Sequence, residues 1–110
     1  MKDVELKKGS AELMILSLLE AQPRHGYDIS KLIEQRSNGA VRFRVASLYP
    51  LLYRMEQRRW ISGKWETGEN GRRRRCYSLQ PKGRKLLKPM RAEWANLFKV
   101  MRQVAKVGHA

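Results

Sequence analysis

The residues of this chain that could do chemistry are mostly cations, and they are concentrated between residues 42 and 88. That segment holds 14 lysines and arginines against three acids, so it carries +11 of the net charge of +14. Four of the cations, Arg72–Arg75, are consecutive. Adjacent cations repel one another unless an anion is near, so this run predicts contact with a phosphate-rich partner. Charge alone also fits a protein of membrane surfaces or of the ribosome.

The sequence contains few of the residue patterns that catalysis or metal binding requires. Cys76 is the single cysteine, which excludes an internal disulfide and a multi-thiolate metal cluster. His25 and His109 lie far apart in sequence, and no paired-carboxylate or phosphate-loop motif occurs. His25 is interpreted as a turn or cap residue. We therefore expect no enzyme activity, no cofactor and no metal site.

The chain is expected to reside in the cytoplasm. A lone cysteine fits a reducing compartment. The longest apolar stretch, residues 13–19, is far too short to span a membrane. Residues 1–8 lack the apolar core of a secretion signal.

Three helical segments must position the cations. The first is apolar on nearly every side; Ser10 is expected to cap it and Pro23 to end it. The second opens near His25 and stops at the breaker cluster 37–39. The third must begin near Ala46 or Ser47, because a proline at position 50 is tolerated only in the first turn.

The third segment is the sharpest pattern. On a helical wheel its buried stripe consists of Leu48, Leu51, Leu52 and Met55. The side chains that face outward or lie on the flanks include Ser47, Tyr49, Pro50, Tyr53 and Arg54.

A β-hairpin is predicted next. Ile61, Gly63 and Trp65 alternate on one strand, as do Arg75, Tyr77 and Leu79 on the other. Residues 67–72 form a turn that contains Asn70-Gly71. Because neighbouring strand residues face opposite sides, about half of the arginine run is expected to meet phosphate. Trp60 and Trp65 are expected to pack the hairpin onto the helices.

The last helix starts at Gln80-Pro81 and carries a heptad seam, within which Pro89 should kink or split it. The seam residues are Leu87, Met90, Trp94, Leu97, Met101 and Val104, reinforced by Phe98 and Ala105. A domain of this size cannot bury all of them, so a second copy is the expected partner. Packing within one protomer is the alternative.

Three helices followed by a hairpin give a mainly α fold with a small β-hairpin: a winged helix-turn-helix, with a long C-terminal dimerisation helix. The predicted units are residues 1–79 and 80–110. The third helix can enter a DNA major groove, about 12 Å wide. A two-fold dimer would then recognise a pseudo-palindrome with half-sites about 34 Å apart or a multiple of that spacing.

The chain resembles the PadR family of bacterial transcriptional regulators. The matching segments are Gly26-Tyr27-Asp28-Ile29, residues 47–52 with Arg54-Met55-Glu56, and residues 74–79 through Lys82-Gly83. The resemblance implies a homodimeric repressor that leaves DNA when a small molecule or another signal arrives. The sequence departs from the family at Gln80, where threonine is common. The chain is expected to end after one C-terminal helix, as in the short subfamily.

The resemblance also adds residue roles. It implies that Tyr27 lies at the DNA-facing start of the second helix, and that Trp94 could hold a flat aromatic effector, although a role in the dimer core is the alternative. The complete predicted DNA-binding set is Tyr27, Arg44, Ser47, Tyr49, Pro50, Tyr53, Arg54, Arg72, Arg73, Arg74 and Arg75. A non-specific architectural or RNA-binding protein is the competing interpretation of the same basic surface.

Overall fold

The fold is known from a computed structural model that describes residues 9–108. The expectation that residues 1–8 hold no secretion signal therefore lies outside the described residues, as does His109. Within the described part, four helices surround a small antiparallel sheet. The elements in chain order are α1 (Ser10–Ala21), β1 (Arg24–His25), α2 (Gly26–Arg36), α3 (Val45–Gln57), β2 (Ile61–Thr67), β3 (Arg73–Leu79) and α4 (Pro81–Ala105).

The helix boundaries follow the expected breakers, with small differences. Gly9, not Ser10, is the N-cap residue of α1, and Gly9 takes a left-handed φ of 89°. Gln22, just before Pro23, ends the helix in an extended conformation, as a residue before proline should. The cluster at 37–39 ends α2, where the Gly39 N–H donates to the Glu34 carbonyl at 2.7 Å.

The start of α3 corrects one expectation. The helix begins at Val45, with Arg44 as its N-cap residue, so Pro50 lies in the second turn. Pro50 has no N–H to donate to the Ala46 carbonyl, a bond that an interior helical residue would normally make. Ala46 is exposed, so water can take over the free carbonyl.

The sheet has the order β1-β3-β2. The hairpin register pairs Ile61 with Leu79 and Trp65 with Arg75, which confirms the predicted alternation. The third strand, β1, pairs only Arg24 with Tyr77 and His25 with Cys76. Two residues are too few for a period-2 pattern, so sequence could not predict β1.

The core lies between α1, α2, α3 and the inner face of the hairpin. The buried stripe of α3 is confirmed at Leu48, Leu52 and Met55, while Leu51 is only partly buried. The other buried apolar residues are Ile15, Leu16, Leu18, Leu19, Ile29, Ile33, Val41, Ile61, Tyr77 and Leu87.

The hairpin and α4 share a tight junction. The Gln80 N–H donates to the Trp60 carbonyl at 3.0 Å, which ties the two ends of the hairpin together. Gly83, in the first turn of α4, lies against the same carbonyl so closely that a Cβ atom would collide with it. Trp60 packs against the core, as expected. The start of α4 is therefore fixed to the base of the hairpin.

Helix α4 is continuous. Pro89 lies within it and does not split it. Arg91 donates to Glu20 of α1 at 2.8 Å, and this hydrogen bond lowers the pKa of the Glu20 carboxyl. Among the described residues, no helix is long and apolar enough to cross a membrane.

Candidate nucleic-acid interface

One face of α3 is free of the core. Because Leu48, Leu52 and Met55 turn inward at helical spacing, the residues on the opposite side of the helix must turn outward. Five predicted site residues of this helix are exposed: Ser47, Tyr49, Pro50, Tyr53 and Arg54. The exposed Arg44 immediately precedes the helix.

A groove of about 690 Å³ separates α3 from the hairpin, which we call the wing. Tyr49 and Tyr53 line one side of it, and Arg73 and Arg74 line the other. Tyr27, which is 60% exposed, lies at its edge on α2. Phenol hydroxyls and guanidinium groups are the donors that phosphate oxygens and base edges accept.

The predicted residues do not all meet in this groove. Arg72 lines an adjoining depression beside the wing turn, together with Tyr27 and Arg74. Arg44, Ser47, Pro50 and Arg54 lie outside the groove lining, on the exposed surface of α3 and its N-cap. The groove and this outer face are therefore two adjacent parts of one surface.

Gly26 is a residue whose contribution sequence reasoning missed. A Cβ atom at this position would lie 2.8 Å from the Tyr49 hydroxyl and about 3.0 Å from its ring. The glycine therefore lets the Tyr49 ring approach the N-terminus of α2. This contact limits the movement of Tyr49 at the groove.

Arg75 is engaged inside the protein. Its Nε donates to Glu56 Oε1 at 3.0 Å and its Nη2 donates to Glu56 Oε2 at 2.8 Å, a bidentate pair between the wing and α3. The hydrogen bond to Glu56 is the main cause that raises the pKa of Arg75 above its ordinary value. Gly63 makes room for the pair, since a Cβ atom there would collide with both side chains. Arg75 therefore connects the wing to α3, and since it also lines the groove, its contact with DNA stays a prediction.

Trp65 does not pack the wing onto the helices, so that expectation was wrong. It is 53% exposed. The guanidinium carbons of Arg73 and Arg75 lie 5.0 Å and 5.3 Å from its ring centroid. Such cation–π contacts stabilise each cation modestly at exposed sites, by about 0.5–1 kcal/mol. Trp65 thus holds two arginines of the wing in fixed directions.

The heptad seam of α4 divides into two parts. Leu87 is 2% exposed and Met90 packs against the same core, so both serve their own protomer. Leu87 is a core residue, and its burial does not support the predicted place in a dimer interface. Beyond Met90, the large apolar residues of α4 that remain at least partly exposed are Trp94, Leu97, Phe98, Val100, Met101 and Val104. The Trp94 and Phe98 rings pack on each other with their centroids 5.9 Å apart.

Comparison with known proteins identifies a family with this architecture. Residues 15–89 match the model of the PadR-like family of transcriptional regulators. A transcriptional regulator from Clostridium thermocellum is 31% identical, with a TM-score of 0.76 over 84% of this chain and 90% of that chain. A PadR family transcription regulator from hypervirulent Clostridium difficile is 30% identical, with a TM-score of 0.75 over 86% and 97% of the two chains.

One curated relative also matches most of this chain. An uncharacterised protein of Lysinibacillus sphaericus is 27% identical over 97 residues, which cover 88% of this chain and 89% of that protein. The family match extends from α1 into α4 and includes α3 and the wing. The chain therefore belongs to the PadR-like family of transcriptional regulators, which bind DNA and are not enzymes.

Proposed function

We propose that the protein is a sequence-specific repressor that binds a pseudo-palindromic operator as a homodimer and leaves it when a signal arrives. The observation that carries this proposal is the groove, in which exposed tyrosines of α3 face exposed arginines of the wing. A helix and a basic arm on opposite sides of a groove match a duplex, whose major groove is flanked by two phosphate backbones.

The two sides of the groove have different tasks. The start of α3, with Ser47 and Tyr49, enters the major groove and reads base edges, as recognition helices do with their N-terminal residues. Arg73, beside Trp65, and Arg74, on the opposite face of the same strand, contact phosphate from the two sides of the wing and supply affinity without sequence choice. Arg75 and Glu56 keep the two sides at a fixed separation.

The exposed seam of α4 supports the homodimer. Phe98 is 50% exposed and Val104 is 78% exposed, although both lie on the apolar face of a long helix. Exposed apolar residues in a continuous stripe favour a protein partner. A second α4 offers the same stripe, so an isologous two-fold interface would cover both.

Trp94 offers a route for release from DNA. Trp94 is half-buried beside Phe98 and would lie within the two-fold interface. A planar aromatic molecule could insert there and change the angle between the two protomers. Quenching of tryptophan fluorescence by planar aromatics, lost in Trp94→Phe, tests this step.

The main test is selection of bound duplexes from a random pool, followed by competition at physiological salt. A repressor should prefer its selected operator over random duplex by about 10³-fold or more. Ser47→Ala should reduce binding to the operator more than binding to random DNA, whereas Arg74→Ala should reduce both. Arg36→Ala, an exposed cation outside the groove, is the matched control. No preference for any duplex would identify a non-specific architectural or RNA-binding protein.

A further inference from the structure

Three side chains with metal-ligating atoms meet on the outer face of the sheet. His25 of β1 and Cys76 of β3 are register partners, and Glu66 of β2 lies on the next strand. One ligand atom from each residue lies within 4.8 Å of the other two. His25 Nε2 and Glu66 Oε1 are already 3.0 Å apart. Sequence gave no reason to expect a metal here, because the three residues come together only through the strand pairing.

A fourth residue orients the histidine. Asp28 Oδ2 lies 3.5 Å from His25 Nδ1, on the side of the ring opposite Glu66. Metal-binding histidines commonly donate their second N–H to a carboxylate in this way, which fixes the tautomer that leaves the other nitrogen free for the metal. Asp28 thus helps to orient the imidazole of His25 toward the other two residues.

We propose that His25, Glu66 and Cys76 bind one thiophilic divalent cation, for which Zn²⁺ is the best match. One sulfur, one imidazole nitrogen and one carboxylate oxygen are all zinc ligands, with bond lengths of about 2.0–2.3 Å. Tetrahedral geometry at those lengths separates ligand atoms by roughly 3.4–3.7 Å. The separations that involve Cys76 would therefore shorten by at most about 1 Å, while the 3.0 Å between His25 Nε2 and Glu66 Oε1 would lengthen slightly. Water takes the fourth position. As the cation binds, the Cys76 thiol and the hydrogen bond between His25 Nε2 and Glu66 each release a proton to solvent.

The surroundings set limits on the affinity. Lys64 pairs in register with Cys76, and Arg74 pairs with Glu66, so two cations share this face of the sheet. Glu66 and Asp28 oppose them, and the thiolate adds a further negative charge when the metal binds. The site should therefore be weaker than a four-ligand structural zinc site.

A cation at this position would be bound by one residue from each of the three strands and would therefore link β1, β2 and β3. His25 also lines the groove between α3 and the wing, so the link would adjoin the candidate DNA surface. The metal site itself does not rest on the proposed function, because its ligands and its test do not involve DNA.

The test is a Co²⁺ titration of the full-length chain without an affinity tag. The expected result is a thiolate-to-cobalt charge-transfer band that saturates at one Co²⁺ per chain and is displaced by Zn²⁺. Cys76→Ser should abolish the band. Asp28→Asn, which removes the carboxylate that orients His25, should weaken Co²⁺ binding about 10- to 100-fold. His25→Gln and Glu66→Gln each remove a ligand, so they should weaken binding at least as much.

Two matched variants control for the residue type. His109→Gln removes the only other histidine, and Glu69→Gln removes an exposed acid of the wing turn; both should bind Co²⁺ as the parent does. Circular dichroism checks that each variant folds. In the parent, Zn²⁺ at 100 times its Kd should stabilise the fold about 100-fold and raise the Tm, with no such rise in Cys76→Ser.

Two results would overturn the proposal. One is the absence of a thiolate band at any Co²⁺ concentration. The other is a band that His25→Gln and Glu66→Gln leave unchanged, or that saturates at one Co²⁺ per two chains, since either would show cysteine binding without the cluster.

Discussion

The salt dependence of DNA binding distinguishes the arginines of the wing. Arg74 is exposed and lines the groove, whereas Arg75 is hydrogen-bonded to Glu56 through two nitrogen atoms. A cation that contacts phosphate releases counterions from DNA, and a cation paired inside the protein does not. Arg74→Ala should therefore lower the slope of log Kd against log salt concentration, and Arg75→Ala should leave the slope nearly unchanged.

The magnitude follows from the number of contacts. Each phosphate contact on B-DNA contributes about 0.9 to the slope, and a two-fold dimer carries Arg74 twice, so the slope should fall by about 1.8. Over a fourfold rise in salt this difference amounts to roughly a 12-fold change in relative affinity. Arg75→Ala should instead weaken binding by a similar factor at every salt concentration, because it loosens the wing.

Fluorescence anisotropy of a labelled operator at four or more salt concentrations measures both slopes, with Arg36→Ala as the control for a cation outside the groove. Equal slope changes for Arg74→Ala and Arg75→Ala would refute the division of roles. An unchanged slope for Arg74→Ala as well as for Arg73→Ala would show that the wing does not contact the backbone.

Three further predictions concern stability and assembly. Glu56→Gln and Arg75→Met should show a coupling energy of about 1–2 kcal/mol in a double-mutant cycle by urea denaturation at constant protein concentration, since both side chains are less than a third exposed; a coupling near zero would mean that solvent screens the pair. Leu87→Ala should destabilise the protomer by about 2–5 kcal/mol, whereas Val104→Glu should halve the mass in sedimentation without loss of helix content; dissociation by Leu87→Ala alone would contradict this assignment. Burial raises the pKa of Tyr77 to about 12 from an ordinary value of 10.0, so the folded state keeps a proton that the unfolded state loses, and stability should fall between those pH values; Tyr77→Phe should flatten that fall, which urea midpoints measured across the range would reveal.

The elements of this fold were largely predictable because each has a local cause. Helical spacing placed Leu48, Leu52 and Met55 in the core, and alternation along the wing gave the observed pairing of Trp65 with Arg75. The charge run was visible directly in the sequence. Local patterns therefore sufficed for the helices, the hairpin and the outward face of α3.

Relations between distant residues were not predictable. The pair of Glu56 with Arg75 depends on the angle between α3 and the wing, and the approach of His25 to Cys76 depends on a two-residue strand. The heptad spacing of apolar residues does not show whether they pack within one protomer or against a second copy. Leu87 was therefore assigned to the dimer interface, although it lies in the core of its own protomer. Trp65 lines the groove opposite α3 but remains 53% exposed, and a period-2 pattern does not show how far a helix will lie from a strand residue.

The contact between Gly83 and the Trp60 carbonyl fixes one end of α4, so a small rotation there would move the other end by a larger distance. The helix has 25 residues and is therefore about 37 Å long, and its first turn is wedged against the base of the wing. A rotation of about 10° at that wedge would displace the far end of a helix of this length by roughly 6 Å. Conversely, a small sliding of two such helices past each other would reach the wings as a change of tilt. In the proposed dimer, the packing of Gly83 against Trp60 would therefore affect the distance between the two wings.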